Sequence, residues 1–177
     1  NPFSDRDGLR FHHYRRAVPY YDLLVLPRQE NMAQARQHGA RRALRMWFAA
    51  DELADRRDAA DPAPHPDFAA EVSFIGTWMP ERGPFMADLI RCGVPLSIWG
   101  DGWHKAPEWA AIAPHWRGPG IYGDAYGPAI QSARICLGLL SNGNRDLHTS
   151  RSIEIPALGG LLCAERTSEH LTLYADN

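Results

Sequence analysis

The segment DLHTSRSIEIPALGG, Asp146 to Gly160, brings an acid, a histidine, hydroxyls, an arginine and a glutamate together within nine residues. A helix starting near Ser150 or Arg151 would present N–H groups that have no partner inside the helix and carry partial positive charge. Thr149, Ser150 and Arg151 add hydroxyl and guanidinium donors at the same point, the combination an anion such as a diphosphate needs. Arg151 can grip phosphate oxygens with two parallel hydrogen bonds, which a lysine cannot. Glu154, one turn on, suits a pair of vicinal hydroxyls such as those of a ribose. With Asp146 eight residues before Glu154, an acid stands at each end of an anion site. That pattern suits a nucleoside diphosphate lying lengthwise. An i, i+3 ion pair between Arg151 and Glu154 on an exposed helix accounts for the same two residues.

A second cation, Arg82, follows Gly76 and Thr77 in GTWMPERG, just past an apolar run. There it would face the same strand-end crevice, although a solvated arginine at a helix start is the simpler reading of Arg82 alone. His148 suits either a general base or donor to phosphate or sugar, or a structural donor. Asp146, His148 and Glu154 lack a compact metal-ligand spacing, and the Asp5–Asp7 pair in DRD does not follow an apolar strand, so no metal is expected. Trp99 and Trp103 flank GDG and read as core more readily than as shelter for a base.

The elements that must position these groups alternate. Tyr21–Pro27 reads as a buried strand, ENMAQARQHGA as a helix stopped by Gly39, and Ala43–Ala49 as a second strand. A charged, proline-bearing stretch over 53–70 reads as a linker. Beyond it come a strand ending at Gly76, and a helix with Phe85, Met86, Leu89 and Ile90 at helical spacing, closed by Gly93. A strand ending at Gly100 follows. The next helix carries Tyr126, Ala129, Ile130 and Ala133 at i, i+3, i+4, i+7, with Asp124 as its N-cap. ARICLGLLS reads as a strand buried on both faces. A short helix, a strand over GLLCAE and a helix capped by Thr167 complete the pattern. Alternation from residue 71 onward predicts an α/β fold with a doubly wound parallel sheet, whose ligands sit at the carboxyl ends of the strands.

Composition bounds the partners. The chain has 177 residues, 45% apolar, with a formal net charge of -2. That is enough for a sizeable core and gives no overall electrostatic reason to expect nucleic acid or an anionic membrane. The basic pairs Arg15–Arg16 and Arg41–Arg42 read as solvated faces. No apolar run approaches the length of a membrane span. Three cysteines, without a C-x-x-C pair, read as free thiols of a reducing compartment, the cytoplasm, with Cys136 and Cys163 buried in apolar runs.

The stretch VSFIGTWMPERGPFMADLIRCGVPLSIWGDGW, followed by ARICLGLLS and DLHTSRSIEIPALGGLLCAERTSEHL, resembles the CgeB-like (spore-maturation-type) glycosyltransferases, of the family 1/family 4-like GT-B group. The resemblance is plainest over 71–177 and covers 20–50 less closely. It implies two Rossmann-like domains facing a cleft: 1–52 as the end of an N-terminal domain, 53–70 as the connection, and 71–177 as a truncated nucleotide-sugar-binding domain. It further implies transfer of a sugar from a nucleotide-diphosphate sugar to an acceptor hydroxyl, with no cofactor. Glu154 matches the ribose-binding second acid of an acid-x7-acid motif. Asp146 stands at the first acid, with Asp in place of the usual Glu. Arg82 matches a diphosphate-binding basic position, and Arg151 a cation of the CgeB-like subgroup. Most of the acceptor-binding domain, with the catalytic base, is then expected outside this sequence. A nucleotide-sugar epimerase or phosphorylase on the same scaffold, or a non-catalytic nucleotide-sugar-binding module, are the alternatives.

Overall fold

The computed structural model describes residues 9–51 and 65–174. The Asp5–Asp7 pair and most of the expected linker, 52–64, lie outside the described residues. The N-terminal part contains helix α1 (Leu9–Ala17), strand β1 (Leu24–Leu26), helix α2 (Gln29–Gln37) and strand β2 (Ala43–Arg45). The two strands pair in parallel, with Leu24 opposite Ala43 and Leu26 opposite Arg45. Val18, Leu24, Leu26, Met32 and Ala35 form a core of their own under this small sheet. Gly39 follows α2 with a φ of 87°, the left-handed stop that a side chain would oppose.

From residue 70 the chain builds β3 (Ala70–Ile75), α3 (Arg82–Arg91), β4 (Leu96–Trp99), α4 (Trp109–Ile112) and β5 (Trp116–Gly118). Then come α5 (Tyr126–Gln131), β6 (Ala133–Gly138), α6 (Ser150–Ala157), β7 (Leu162–Ala164) and α7 (Ser168–Leu173). The five strands form one parallel sheet in the order β5-β4-β3-β6-β7. Strand order runs outward from β3 to β5, then restarts on the other side of β3 with β6. The reversal between β3 and β6 is the topological switch point of a doubly wound sheet.

Both faces of the sheet are covered, as parallel sheets require. Successive strand residues point to opposite sides. Phe74, Ile98 and Leu137 join a core with Met86 of α3 and Ile112 of α4. Their neighbours Ile75, Trp99 and Cys136 join a second core with Ala129 and Ile130 of α5, Ile155 of α6 and Leu158 just after it. The fold is therefore Rossmann-like α/β, as the alternating pattern predicts. Trp103, 1% exposed, is core, and its Nε1 donates to the Gly76 carbonyl at 3.0 Å.

Several expectations are corrected. Asp124 does not cap α5: it lies in a 3-10 turn, Gly123–Ala125, that runs straight into the helix. Ala133 belongs to β6, not to that helix. The second N-terminal strand ends at Arg45 instead of Ala49, because Trp47 and Phe48 leave the sheet to pack on the His148 ring, with centroids 4.7 and 5.3 Å away. Cys163 is exposed, since β7 is an edge strand with only partial cover; Cys136 alone of the two is buried. Val25 alternates outward in β1, so that strand is buried on one face only.

Candidate functional site

The carboxyl ends of β3 and β6 open onto a cavity of about 220 Å³ at the switch point. Gly76 and Thr77 leave β3 at its floor, Arg82 comes from the start of α3, and Thr149, Ser150 and Arg151 come from the start of α6. Six residues singled out in the sequence are thus brought to one place. Gly120, Ile121 and Tyr122 form a further wall. They follow β5, a strand without an apolar run, and only the glycine-rich turn GPGIYG marks them in the sequence. A larger groove of about 520 Å³ beside β7 is lined mostly by apolar residues such as Leu161, Leu171 and Tyr174, and it shares no residue with the switch-point cavity.

Arg82 is held by carbonyls. Its Nη1 donates to Thr77 O at 2.8 Å and its Nη2 to Leu139 O at 3.4 Å, and its guanidinium lies 5.4 Å from the Phe74 ring centroid. Burial lowers its pKa, while the charges of Glu81 and Asp146 push the other way; starting so high, it stays cationic. A Cβ on Gly76 would meet the Phe74 ring at 2.8 Å, so glycine at the end of β3 leaves room for that ring, over which the Arg82 guanidinium lies. Arg82 Nε is buried with no hydrogen-bond partner, and so is Thr149 Oγ1. Both atoms are closed off from the cavity, and Thr149 Oγ1 faces the Ser152 N–H in a capping box at the start of α6.

The start of α6 is fixed by a relay. Thr149 precedes the helix in extended backbone and donates its N–H to Ser152 Oγ at 3.0 Å. Ser152 Oγ also meets His170 Nε2 at 2.8 Å, and His170 Nδ1 meets Glu165 O at 2.6 Å. A carbonyl only accepts, so Nδ1 carries the proton and Nε2 accepts from the serine. Tyr174 OH donates to Ser152 O at 2.5 Å. These contacts fix the start of α6, whose first residues line the cavity.

Arg151 Nη1 pairs with Glu154 Oε2 at 2.5 Å, and its guanidinium stands 4.2 Å from the centroid of Tyr126. The pair exists, as the simpler reading of the spacing has it, yet it is not on an exposed face: the side chains are 30% and 20% exposed, and Arg151 lines the cavity. Burial raises the Tyr126 phenol pKa far above its usual range, opposed by Arg151 and assisted by Glu154.

Asp146 and His148 are drawn away from the cavity. The Asp146 carboxylate, 3% exposed, is paired with Arg28. His148 Nδ1 meets Glu169 Oε2 at 2.5 Å, and the Phe48 N–H donates to Nε2 at 3.3 Å. With both ring nitrogens engaged, His148 has none for a substrate, and its geometry is that of the structural donor. Among the described residues, no group of three or more His, Cys, Asp or Glu is placed to hold a metal ion. Nor, among them, is any helix long and apolar enough to cross a membrane.

The fold is a Rossmann-like parallel sheet whose switch point carries two arginines and a helix start, groups whose charge suits an anion. Residues 82–177 match the family described as "Glycosyl transferase-like". The chain belongs to that glycosyltransferase-like family. No curated protein matches it.

Proposed function

We propose that the chain carries the donor-binding half of a glycosyltransferase, and that the switch-point cavity takes the diphosphate of a nucleotide-sugar. The observation that carries this reading is the convergence of Arg82, Arg151 and the start of α6 on one cavity. Thr149 and Ser150 add hydroxyls to the phosphates. Glu154, released from Arg151 as phosphate takes its place, accepts from the ribose hydroxyls. Tyr122, 69% exposed on the outer wall, offers a flat apolar face for a base. The quoted sequence runs favour the CgeB-like group within the family.

In the reaction, the bond between the anomeric carbon and a diphosphate oxygen breaks while an acceptor hydroxyl oxygen bonds to that carbon and gives up its proton. Negative charge grows on the departing diphosphate. Arg82, Arg151 and the α6 N–H groups stabilise it as preorganised donors, each worth about 3 kcal/mol by analogy with oxyanion-hole donors. This stabilisation calls for no metal ion and no cofactor. The free thiols fit a cytoplasmic setting.

Calorimetric titration of the full chain with UDP, GDP and their sugars tests the binding step, and transfer to a panel of hydroxyl acceptors tests the chemistry. Saturable binding of a nucleoside diphosphate is expected. No heat with any of them at millimolar concentration refutes the reading.

A further inference from the structure

Asp146 and His148 stand two residues apart in the loop that enters α6, and both are gripped by the small N-terminal sheet. Arg28, just past β1, pairs with Asp146. Arg45, the last residue of β2, pairs with Glu169, whose other oxygen holds His148. We propose that Arg28 and Arg45 are positioning residues for the anion cradle, acting through Asp146 and through the Glu169–His148 pair. This rests on the donor-binding reading above.

Three observations support it. A carboxylate as buried as that of Asp146 is costly without a partner, and Arg28, 16% exposed, is the partner it has. The field of Asp146 also reaches Arg82, where it favours the charged guanidinium. Unneutralised, the same field would oppose an anion in the cavity, so Arg28 both holds the loop and cancels a repulsive charge. Secondly, His148 directly precedes Thr149, which leads into α6. Its Nδ1–H is fixed by Glu169 and its Nε2 by the Phe48 amide, so ring and loop have one orientation. Glu169 is itself held by Arg45, which donates from Nε to Pro27 O at 3.3 Å and stacks 4.4 Å from the Trp47 centroid. Thirdly, the loop begins at Arg145, a non-glycine residue with a φ of 54°. Glu30 at 2.9 Å and Gln34 at 3.2 Å, both of α2, hold its guanidinium. The small sheet, its helix α2 and the turn between them thus hold the loop at Arg145, Asp146 and His148.

The test uses the full chain, UDP and GDP as probes, and two readouts: calorimetric affinity, and backbone amide exchange over 146–152 without ligand. Arg28→Ala is expected to weaken diphosphate binding about tenfold. Adding Asp146→Asn to it is expected to restore most of that loss, since the unpaired charge is removed. Arg28→Gln, which keeps a polar side chain and removes its charge, serves where the alanine variant does not fold, and is expected to show the same loss and the same rescue by Asp146→Asn. Arg45→Ala is expected to speed exchange over 146–152 and weaken binding, whereas Arg41→Ala, in the exposed pair with Asp22, changes neither. A merely structural role for Arg28 would not be rescued by a second substitution that leaves the loop no better held. Parent-like affinity and exchange in Arg28→Ala and Arg45→Ala overturn the proposal alone. So does a deeper loss on adding Asp146→Asn, which would make Asp146 a ligand contact. A parent chain that binds no nucleoside diphosphate overturns the donor reading and this proposal with it.

Discussion

The guanidinium of Arg151 lies 4.2 Å from the ring centroid of Tyr126, which leaves it supported from below by an aromatic face and from one side by Glu154. An arginine held over a ring and beside a carboxylate in this way loses little freedom when phosphate replaces the carboxylate. Arg151→Ala is expected to reduce transfer by about a hundredfold, the scale of one lost oxyanion donor. The thermal midpoint should change little, because the side chain is partly exposed. Arg151→Lys restores charge without the planar fork and is expected to recover only a fraction of the rate. Steady-state kinetics with each variant decide this, and parent-like turnover in Arg151→Ala removes the residue from the site.

Ser152 is the hinge of the relay at the start of α6. It accepts from the Thr149 N–H and meets His170 Nε2 at 2.8 Å. Ser152→Ala leaves the Thr149 N–H and a buried His170 nitrogen without partners, which is expected to cost about 1–2 kcal/mol of stability. Nucleoside diphosphate affinity is expected to fall as well, since the helix start loses its fixed direction. Denaturant unfolding and calorimetry on the same variant read both effects; unchanged stability would show that the relay holds nothing in place.

The parts of this fold that were legible in the sequence are those in which local pattern and tertiary role coincide. β3, β4 and β6 are apolar runs because the sheet is covered on both faces, and their ends open onto the switch point, so Thr149, Ser150 and Arg151 fall at a crevice by position; Arg82 alone reads more simply as a solvated arginine, and it is the family resemblance that puts it there. β5 was not legible: Trp116–Gly118 sits at the sheet edge with two exposed residues, and it has no apolar run to announce it. The wall it leads to, Gly120–Tyr122, was lost with it. Asp146 and His148 looked like ligand groups because they adjoin the cradle in sequence. Their partners Arg28 and Glu169 lie 118 and 21 residues away. No local pattern reports a contact across such separations. The apolar run Trp47–Phe48 was misread as strand for the same reason, its hydrophobicity serving a contact with His148.

The three thiols should separate cleanly by reactivity. Cys92 and Cys163 are exposed, whereas Cys136 is buried in β6. Burial raises the Cys136 pKa, only partly offset by Ser73, whose Oγ donates to Sγ at 3.5 Å. Thiolate is the reactive form, so a buried thiol with a raised pKa is slow on both counts. In native buffer at pH 8, two thiols per chain are expected to react promptly with an aromatic disulfide reagent. The third should react only on addition of denaturant, and prompt reaction of all three would mean that the second core is not closed over Cys136.

Stability is expected to fall on the alkaline side because three phenols are held neutral by the fold. Burial raises the pKa of Tyr126 most, and raises Tyr14 and Tyr174 as well, with Tyr21 adding to Tyr14. In the unfolded chain each ionises near pH 10. Below that pH both states hold the proton and the phenols cost the fold nothing. Above it the unfolded chain releases protons that the native state retains, so stability is progressively lost as pH rises through the folded values. The thermal midpoint is therefore expected to be flat up to about pH 9.5 and to decline steeply beyond it. Tyr126→Phe removes the phenol with the largest shift and is expected to flatten that decline while leaving the neutral-pH midpoint nearly unchanged. Thermal unfolding of parent and variant from pH 7 to pH 11 measures the two slopes, and equal slopes would mean that Tyr126 ionises freely in the native chain.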